Sequence, residues 1–557
     1  MIGISRKPRS SKGAALITVT IVMMMVAILC LSYVTLTSTN LIRANREERS
    51  ATALYLAEAG LDYIIADIMH DAETNGGIIQ PWDSDTSPEL NGVLDELRSG
   101  ATGHVIVTPD PGGNGKLATI TSSATYREIT EKVRVRLKIK NISAWNNAIF
   151  AGIGASGKGI NGKVDIRGSV HILGDGEPYS DSNNNLQRDT AEAYTDSNHN
   201  GQYDWGEPYT DSDHDGGYSP AEPFQDNDLD GVYDAPLTAT DVVADIGGNA
   251  NIGNNYSGIP DDLLAKIPTL VRQSFGGEMV DTLNAELRVK HGNVYLSGSA
   301  TAGQSNHPGD TIKETLDGCF VTDGYAGKGA SSVHSDNGTS QKYDLGDRVS
   351  FPGLLDAYTD PATGTYYSSF QNYLIANSAL VAVPKIDSTV ASFSAGSGNN
   401  TISWNQATST LTISGIVRIS GNLDLSIKDS TVYYSGKGTL FAQSGTVYVR
   451  GSVLPATMFP STDALGVIAG KDIEFATGSG ESQLSGCGAW YAEQTIRVAK
   501  QSQFAGTYVA NYFDMGTNVP SIYQVPELTS HMPPGMPGGE NVAVAQILSW
   551  RHLGQSE

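Results

Sequence analysis

The stretch KGAALITVTIVMMMVAILCLSYVTLTS occupies residues 12–38, and it decides the N-terminal architecture of the chain. No charged residue occurs between Ala14 and Asn40. As a helix, residues 14–38 would be about 37 Å long, enough to cross the ~30 Å hydrocarbon core of a bilayer. The apolar region of a cleaved secretory signal is shorter, roughly 7–15 residues. The stretch therefore predicts a transmembrane helix.

A basic leader precedes this helix and ends at Gly13. It contains no acidic residue, and its basic residues are Arg6, Lys7, Arg9 and Lys12. Because positive charge stays on the cytoplasmic side of a membrane, we expect the N-terminus in the cytoplasm and everything after Arg43 outside it. The predicted location is the inner membrane, crossed once. A plain signal anchor and a leader cut on the cytoplasmic side both fit this pattern, and the Lys12-Gly13-Ala14 junction favours the cut leader.

Helix-forming residues continue beyond the membrane, so we expect one helix from Ala14 to about His70. Its outer half places apolar residues on one face: Leu54, Leu56, Ala57, Leu61, Ile64, Ile65 and Ile68. Alternating segments then follow at 103–110, 116–126 and 132–140, with a turn signal between the first two, and they predict a small antiparallel meander. The predicted fold class of this region is α+β.

Two segments of the helix, KGAALITV at residues 12–19 and ALYLAEAGLDYII at residues 53–65, resemble the N-terminal region of PilX-type minor pilins. The resemblance covers roughly residues 1–70. It implies a type IV prepilin signal that a prepilin peptidase cuts between Gly13 and Ala14. It also implies other pilins or pseudopilins as partners, and a final location in a filament at the periplasm or cell surface.

The sequence departs from major pilins at the fifth mature position, where they carry a Glu and this chain carries Thr18. A carboxylate buried in lipid is costly unless it is paired, and in pilins it is thought to meet the N-terminus of a neighbour during assembly. Its absence occurs in PilX-type proteins and in the tip pseudopilin of type II secretion. The resemblance therefore implies a minor, tip or initiating subunit rather than a bulk filament subunit.

An acidic block lies between residues 175 and 234, which contains 16 acidic residues and a single Lys or Arg, Arg188. Such a run is usually a solvated or disordered stretch, but here the acids repeat. Asp181, Asp196, Asp211 and Asp226 follow one another at intervals of 15 residues, and each opens a segment with the calcium-loop pattern of ligands at positions 1, 3, 5, 7, 9 and 12. The spacing predicts four tandem calcium loops.

All candidate ligands are oxygen donors. The first loop offers Asp181, Asn183, Asn185, the Gln187 carbonyl, Asp189 and Glu192; the second offers Asp196, Asn198, Asn200, the Gln202 carbonyl, Asp204 and Glu207. The third offers Asp211, Asp213, Asp215, the Gly217 carbonyl, Ser219 and Glu222; the fourth offers Asp226, Asp228, Asp230, the Val232 carbonyl and Asp234. Loop 1 has Leu186 in place of the turn Gly, and loop 4 has Leu237 in place of the final Glu.

Oxygen ligands in this number favour Ca²⁺ over Mg²⁺, so we expect about three or four Ca²⁺ ions with dissociation constants on the order of 10⁻⁴ to 10⁻³ M. The connectors of three residues leave no room for the helices of an EF-hand pair, and the array resembles thrombospondin type 3 or dockerin-like loops. Without metal, repulsion among the carboxylates should leave the block disordered.

The remaining sequence is rich in glycine, 62 of 557 residues, and alternates short apolar strands with turns, most densely at residues 410–455. Regular short strands of this kind predict stacked rungs, so we expect a right-handed parallel β-helix with a calcium-loop insert, and a β-sandwich is the alternative. The G-x-G-x-x-G at residues 152–157 is followed by a strand pattern rather than a helix, which argues against a dinucleotide site.

These patterns divide the chain into eight segments. They are the leader (1–13), the transmembrane and assembly helix (14–70), the pilin-like meander (71–144), first β rungs (145–174), the calcium insert (175–237), a β-rich region with loop inserts (238–400), β-helix-like rungs (401–528), and a Pro/Gly linker with a C-terminal cap (529–557).

A net charge of −24 argues against binding nucleic acid, which needs basic patches. No HExxH or G-x-S-x-G motif is present, so no catalytic residue is assigned and no enzymatic activity is expected. Cys319 and Cys487 do not have the spacing of a metal-binding motif. The sequence does not decide whether a disulfide joins them. The predicted function is filament assembly or adhesion. The alternative is a membrane-anchored surface β-helix protein that binds or cleaves a surface glycan without joining a filament.

Overall fold

The structure is a computed structural model that describes residues 12–75, 79–83, 89–110, 116–154, 165–174, 191–197, 203–211, 217–223, 251–290, 294–296, 298–322, 324–346, 348–515, 520–540 and 543–553. The chain folds into two compact units. One, the N-terminal unit, comprises Met1–Lys140 with Ala543–Glu557, and the other, the head, comprises Asn141–Val542.

A long helix and an antiparallel sheet form the N-terminal unit. Its elements are α1 (Lys12–Asn75), β1 (Trp82–Asp83), α2 (Glu89–Leu97), β2 (Ala101–Pro109), β3 (Leu117–Tyr126) and β4 (Ile129–Asn141). Strands β2 and β3 pair antiparallel, as do β3 and β4, so the predicted meander is confirmed. Alternate residues of these strands, such as Val105, Ile120 and Val135, are fully buried, which is why the period-2 pattern located them.

The short helix α2 was not predicted, and it places Leu90 and Leu94 in the same core. Its apolar residues, Leu90, Val93, Leu94 and Leu97, have the i, i+3, i+4, i+7 spacing of a helix, over little more than two turns. A run of nine residues is shorter than the window of about 11–18 residues in which this periodicity is read.

The head is mostly β. Its elements up to the middle of the head are β5 (Ile149–Gly154), β6 (Asp165–Arg167), β7 (Val170–Ile172), β8 (Asn251–Gly253), α3 (Asp261–Leu264), β9 (Arg272–Phe275), β10 (Glu278–Asp281), β11 (Glu286–Val289), β12 (Val294–Leu296), β13 (Thr301–Ala302), β14 (Gly318–Val321), β15 (Tyr325–Gly327), β16 (Tyr358–Thr359), β17 (Tyr366–Tyr367), α4 (Phe370–Ala376), β18 (Ala379–Leu380), β19 (Lys385–Ile386), β20 (Phe393–Ser397) and β21 (Asn400–Asn405). The later strands are β22 (Thr410–Ile419), β23 (Leu423–Leu425), β24 (Thr431–Ser435), β25 (Lys437–Ala442), β26 (Val447–Val449), β27 (Ser452–Pro455), β28 (Ala464–Ala469), β29 (Ile473–Phe475), β30 (Ser485–Val498), β31 (Gln503–Asp514) and β32 (Ser521–Tyr523).

Each of the six strands from β22 to β27 pairs in parallel with the strand three places further along the chain. One row of in-register partners crosses nine strands: Val417, Leu440, Val467, Trp490, Tyr508, Ile149, Val170, Leu287 and Cys319. All nine side chains are buried. In addition, six strands close a ring of parallel pairs: β22, β25, β28, β30, β27 and β24.

The order of strands in this row differs from their order in the sequence. Strand β5, near the start of the head, pairs with β31, near its end. Strand β6 likewise pairs with β32. The rungs predicted at 145–174 and at 401–528 therefore stack on each other through β5 and β31.

The C-terminal segment is placed differently from the predicted linker and cap. Residues 533–539, PPGMPGG, are held to the head by side chains: Trp145 Nε1 donates to the Pro537 carbonyl at 2.7 Å, and Thr439 Oγ1 donates to the Pro534 carbonyl at 2.6 Å. The apolar residues after them form β33 (Ala543–Leu553), which lies beside β4 at the edge of the N-terminal sheet. A single apolar strand carries no signal for which sheet it joins.

Cys319 and Cys487 are both buried and are not joined to each other. Burial raises the pKa of Cys319 to about 11 and raises that of Cys487 as well. Both thiols therefore stay protonated at neutral pH, and they serve as small apolar side chains of the core.

Candidate functional site

The first candidate site is the N-terminal half of α1, which exposes an apolar surface. Exposed fractions in this half run from 49% at Ile21 to 74% at Leu31. The exposed large apolar residues are Leu16, Ile17, Val19, Ile21, Val22, Met23, Met24, Met25, Val26, Ile28, Leu29, Leu31, Tyr33, Val34, Leu36, Leu41 and Ile42. The helix is long and apolar enough to cross a membrane. By its length and chemistry this surface suits the hydrocarbon core of a bilayer.

The hydroxyl groups within the same half are compatible with lipid. Each of five Ser or Thr side chains donates to the carbonyl four residues earlier at 2.8 Å: Thr20, Ser32, Thr35, Thr37 and Thr39. In a bilayer no water is present to satisfy a polar group, so hydroxyls must find partners inside the segment. The helix itself supplies them.

The C-terminal half of α1 packs on the sheet of its own unit. Its buried face consists of Ala53, Leu56, Ala57, Leu61, Ile64 and Ile68, and Leu54 and Ile65 pack at the margin, as predicted from their spacing. Gly60 allows the close approach, because a Cβ there would lie 3.0 Å from Ser122 Oγ on β3. One helix therefore changes from an exposed apolar rod to a packed core element along its length.

A buried carboxylate fixes this packing. Glu131 on β4 is 5% exposed and accepts from Ser50 Oγ of α1 at 2.6 Å. Its second oxygen lies 2.8 Å from His552 Nε2 of β33, which must carry the proton to donate. Helix, meander and C-terminal strand are thus joined at one residue.

The predicted processing residues Gly13 and Ala14 lie in the first turn of α1, which begins at Lys12. The leader residues before Lys12 fall outside the described residues. The scissile bond predicted from the resemblance is therefore at the start of the helix.

The second candidate site is the acidic array, of which the structure describes residues 191–197, 203–211 and 217–223. These segments include eight predicted ligands: Glu192, Asp196, Asp204, Glu207, Asp211, Gly217, Ser219 and Glu222. The other predicted ligands lie outside the described residues: Asp181, Asn183, Asn185, Gln187, Asp189, Asn198, Asn200, Gln202, Asp213, Asp215, Asp226, Asp228, Asp230, Val232 and Asp234.

The connectors between consecutive loops pair with each other. Tyr194 and Tyr209 form an antiparallel bridge. On either side of it, Thr195 N donates to the Pro208 carbonyl and Thr210 N donates to the Ala193 carbonyl, both at 2.8 Å. These two connectors lie on either side of loop 2, so their pairing closes loop 2 at its base.

The position-12 glutamates of the first three loops point inward. Glu192, Glu207 and Glu222 are 6%, 9% and 4% exposed. Glu207 accepts from Ser197 N at 2.7 Å and from Asp204 N at 3.0 Å, so its carboxylate joins both ends of its own loop. Glu192 instead crosses to loop 3, where it accepts from Ser219 N at 3.2 Å.

Four tyrosines that were not predicted as part of the site form the core of the array. Tyr203 and Tyr218 stack with ring centroids 3.9 Å apart, and each makes edge contacts with Tyr194 and Tyr209. The sequence does contain a pattern that marks them: Tyr203 and Tyr218 are 15 residues apart, and so are Tyr194 and Tyr209, which is the interval of the acidic repeat. Partial burial and the charge of Asp196 raise the pKa of Tyr194, which keeps the phenol neutral.

The donor set fits a hard cation. Its side chains are carboxylates and one hydroxyl, and the sequence holds no Lys or Arg between Arg188 and Lys266. Buried carboxylates such as those of Glu192, Glu207 and Glu222 favour a nearby cation. The described ligands would hold Ca²⁺ through side-chain oxygens and the Gly217 carbonyl.

No protein-family model matches the chain, and no curated protein matches it significantly. Among solved structures, it is similar to the crystal structure of the competence-associated pilin ComZ from Thermus thermophilus. The alignment covers 91% of this chain and 97% of that one, at 18% sequence identity and a TM-score of 0.45.

Proposed function

We propose that the protein is a minor pilin or pseudopilin. The observation that carries this proposal is α1, a continuous helix whose first half exposes an apolar surface and whose second half packs on an antiparallel sheet. Such a helix suits a subunit that waits in the inner membrane and then buries its apolar rod among other subunits. The short basic leader ending at Gly13 agrees with export through a prepilin peptidase.

A position at the tip, or in the initiating complex, fits two further features. The head spans Asn141–Val542, which is far more chain than the N-terminal unit contains. A head of that size is hard to repeat along a thin filament. Thr18 also stands where a bulk subunit would carry the assembly carboxylate. The head would then initiate assembly or present an adhesive surface, with a glycan as one candidate ligand.

Processing is the direct test of this proposal. The full chain is co-expressed with a prepilin peptidase, and its intact mass is measured. We expect loss of the leader, residues 1–13. Gly13→Leu should abolish cleavage, because a bulky side chain at the scissile position blocks the peptidase, whereas Gly3→Leu in the same leader should be cut normally.

An uncut wild-type chain would contradict the pilin proposal. The protein would then be a signal-anchored surface protein, and glycan binding by the head would be its first candidate activity. Equal cleavage of wild type and Gly13→Leu would place the cut at another bond and would also remove the support from the leader.

We further propose that the acidic array binds about three or four Ca²⁺ ions with dissociation constants on the order of 10⁻⁴ to 10⁻³ M. Burial of Glu192, Glu207 and Glu222 supports this, because these are the position-12 residues that the loop pattern requires. On binding, the carboxylate of Glu207 would exchange its two N–H donors for the metal. The ion would stiffen the insert rather than switch a pair of helices.

Calcium removal tests the array. The full chain in detergent is digested with protease in millimolar Ca²⁺ or in chelator, and the first cut sites are mapped by mass spectrometry. We expect cuts within residues 175–237 in chelator and protection in calcium, because unneutralised carboxylates repel. Asp196→Ala combined with Asp211→Ala should lose the protection.

Glu207→Gln keeps the shape of the side chain and removes its charge, so it should weaken calcium binding at its loop by about tenfold or more. Glu278→Gln is the matched control, since Glu278 is exposed and lies outside the array. Protection that is the same with and without calcium would overturn the calcium proposal.

We also propose that the parallel ladders of the head are successive turns of a right-handed parallel β-helix. The row of nine buried partners supports this arrangement, and so does the pairing of each strand from β22 to β27 with the third strand after it. A solenoid of this kind makes a stiff, elongated body, which suits a subunit that must present a surface away from the membrane.

A further inference from the structure

A group of metal-ligating side chains lies in the loop between β13 and β14, outside the acidic array. His307 Nδ1 is 2.6 Å from Glu314 Oε2 and 3.9 Å from Asp310 Oδ2. All three ligand atoms lie within 4.8 Å of one another. We propose that His307, Asp310 and Glu314 form a binding site for a transition-metal ion of the Zn²⁺ class.

The loop is folded so that these three side chains converge. Asn306 Oδ1 accepts from Glu314 N at 2.8 Å and from Thr315 N at 3.1 Å. Across the base of the loop, Gln304 N donates to the Glu314 carbonyl at 3.0 Å. The tip is closed by Asp310 N, which donates to the His307 carbonyl at 3.2 Å. The backbone therefore presents the ligands before any ion arrives.

The distances are close to those of a coordinated ion. Zinc bonds of about 2.0–2.2 Å in tetrahedral geometry place ligand atoms about 3.4 Å apart. The His307–Glu314 separation must widen by less than 1 Å, and the His307–Asp310 separation must shrink by a similar amount. His307 and Asp310 are 70% and 46% exposed at the side chain, so both can turn without disturbing the core.

Lysine does not compete for these carboxylates. Lys313 is the nearest base in the sequence, but its side chain is 6% exposed and its Nζ contacts Asp317 at 2.5 Å and Asp336 at 2.6 Å. Its charge is thus held by other acids inside the head. The triad keeps a net negative charge when the imidazole is neutral, as a divalent cation requires.

The ligand types select the metal. An imidazole nitrogen suits Zn²⁺, Ni²⁺ or Cu²⁺, whereas Ca²⁺ takes oxygen ligands only. Three protein ligands leave a fourth tetrahedral position open to water, because His307 faces solvent. The site therefore differs from the acidic array in metal class, and it does not depend on whether the chain joins a filament.

The test is a zinc titration of the full chain in detergent, purified without a polyhistidine tag. Millimolar Ca²⁺ is present throughout, so that the acidic array is occupied. A chromophoric zinc chelator reports the competition. We expect a single Zn²⁺ bound per chain, and binding at least ~10-fold weaker in His307→Ala and in Glu314→Gln.

The matched control is His531→Ala, which removes a histidine outside the triad and should bind zinc as wild type does.

Co²⁺ gives a second readout, since its visible absorption should change when His307 is replaced even if folding is unaffected. Thermal unfolding without metal identifies a variant that fails to fold, and Asp310→Asn then replaces it in the titration. Zinc binding that His307→Ala leaves unchanged, or that millimolar Ca²⁺ abolishes, would overturn the proposal; the triad would then be an ordinary surface ion pair.

Discussion

Gly506→Ala is expected to lower the free energy of unfolding of the head by at least ~3 kcal/mol. Gly506 lies in β31, in register with Gly488 of β30. A Cβ at Gly506 would lie 1.9 Å from the Gly488 carbonyl oxygen. The obstacle is backbone rather than a side chain that can turn aside, and the φ of +133° at Gly506 is one that residues with a side chain rarely adopt. The strands must separate to admit a methyl group.

Urea unfolding of the full chain in detergent, followed by tryptophan fluorescence, measures the effect. Gly421→Ala is the control, since a Cβ there meets no atom within 4 Å, and it should change stability by less than about 0.5 kcal/mol. Equal unfolding midpoints for Gly506→Ala and wild type would show that β30 and β31 do not stack at this distance, and would contradict the rung arrangement.

The position of Gly506 illustrates what the sequence can and cannot predict about the head. Short alternating strands with glycine turns were recognised because buried strands leave a period-2 pattern. The stacking of β5 on β31 was not predicted, because parallel partners hundreds of residues apart leave no local trace. The same limit explains β33, whose apolar residues fit any sheet edge.

In the acidic array, too, some features could be predicted from the sequence and others could not. The 15-residue interval was enough to assign position 12 to Glu192, Glu207 and Glu222, and all three are buried. Sequence spacing places a ligand within its own loop, so it could not predict that Glu192 reaches loop 3. The calcium-loop pattern specifies only ligand positions, so it does not predict the tyrosine core, although the tyrosines repeat at the same 15-residue interval.

Arg288→Met is expected to destabilise the head by about 3–5 kcal/mol at neutral pH. Arg288 is 6% exposed, with its guanidinium 2.5 Å from Glu286 and 2.9 Å from Asp344. Burial alone would lower the pKa of Arg288, but Glu286 and Asp344 raise it overall, so the charge persists. Met keeps the length of the side chain and its contact with Phe320, and it removes the cation that both carboxylates need.

A double variant separates lost charge from lost packing. Arg288→Met with Glu286→Gln should recover much of the stability, because no charge is then buried beside the methionine.

The pH dependence gives a second check. Without Arg288, the buried Glu286 of the folded single variant should bind a proton more tightly than in the unfolded chain, where Glu titrates near pH ~4.3. The loss of unfolding free energy in Arg288→Met relative to wild type should therefore be largest at pH 7 and shrink as the pH falls towards roughly 4. A deficit that is constant with pH and not relieved in the double variant would show that Arg288 acts by packing alone.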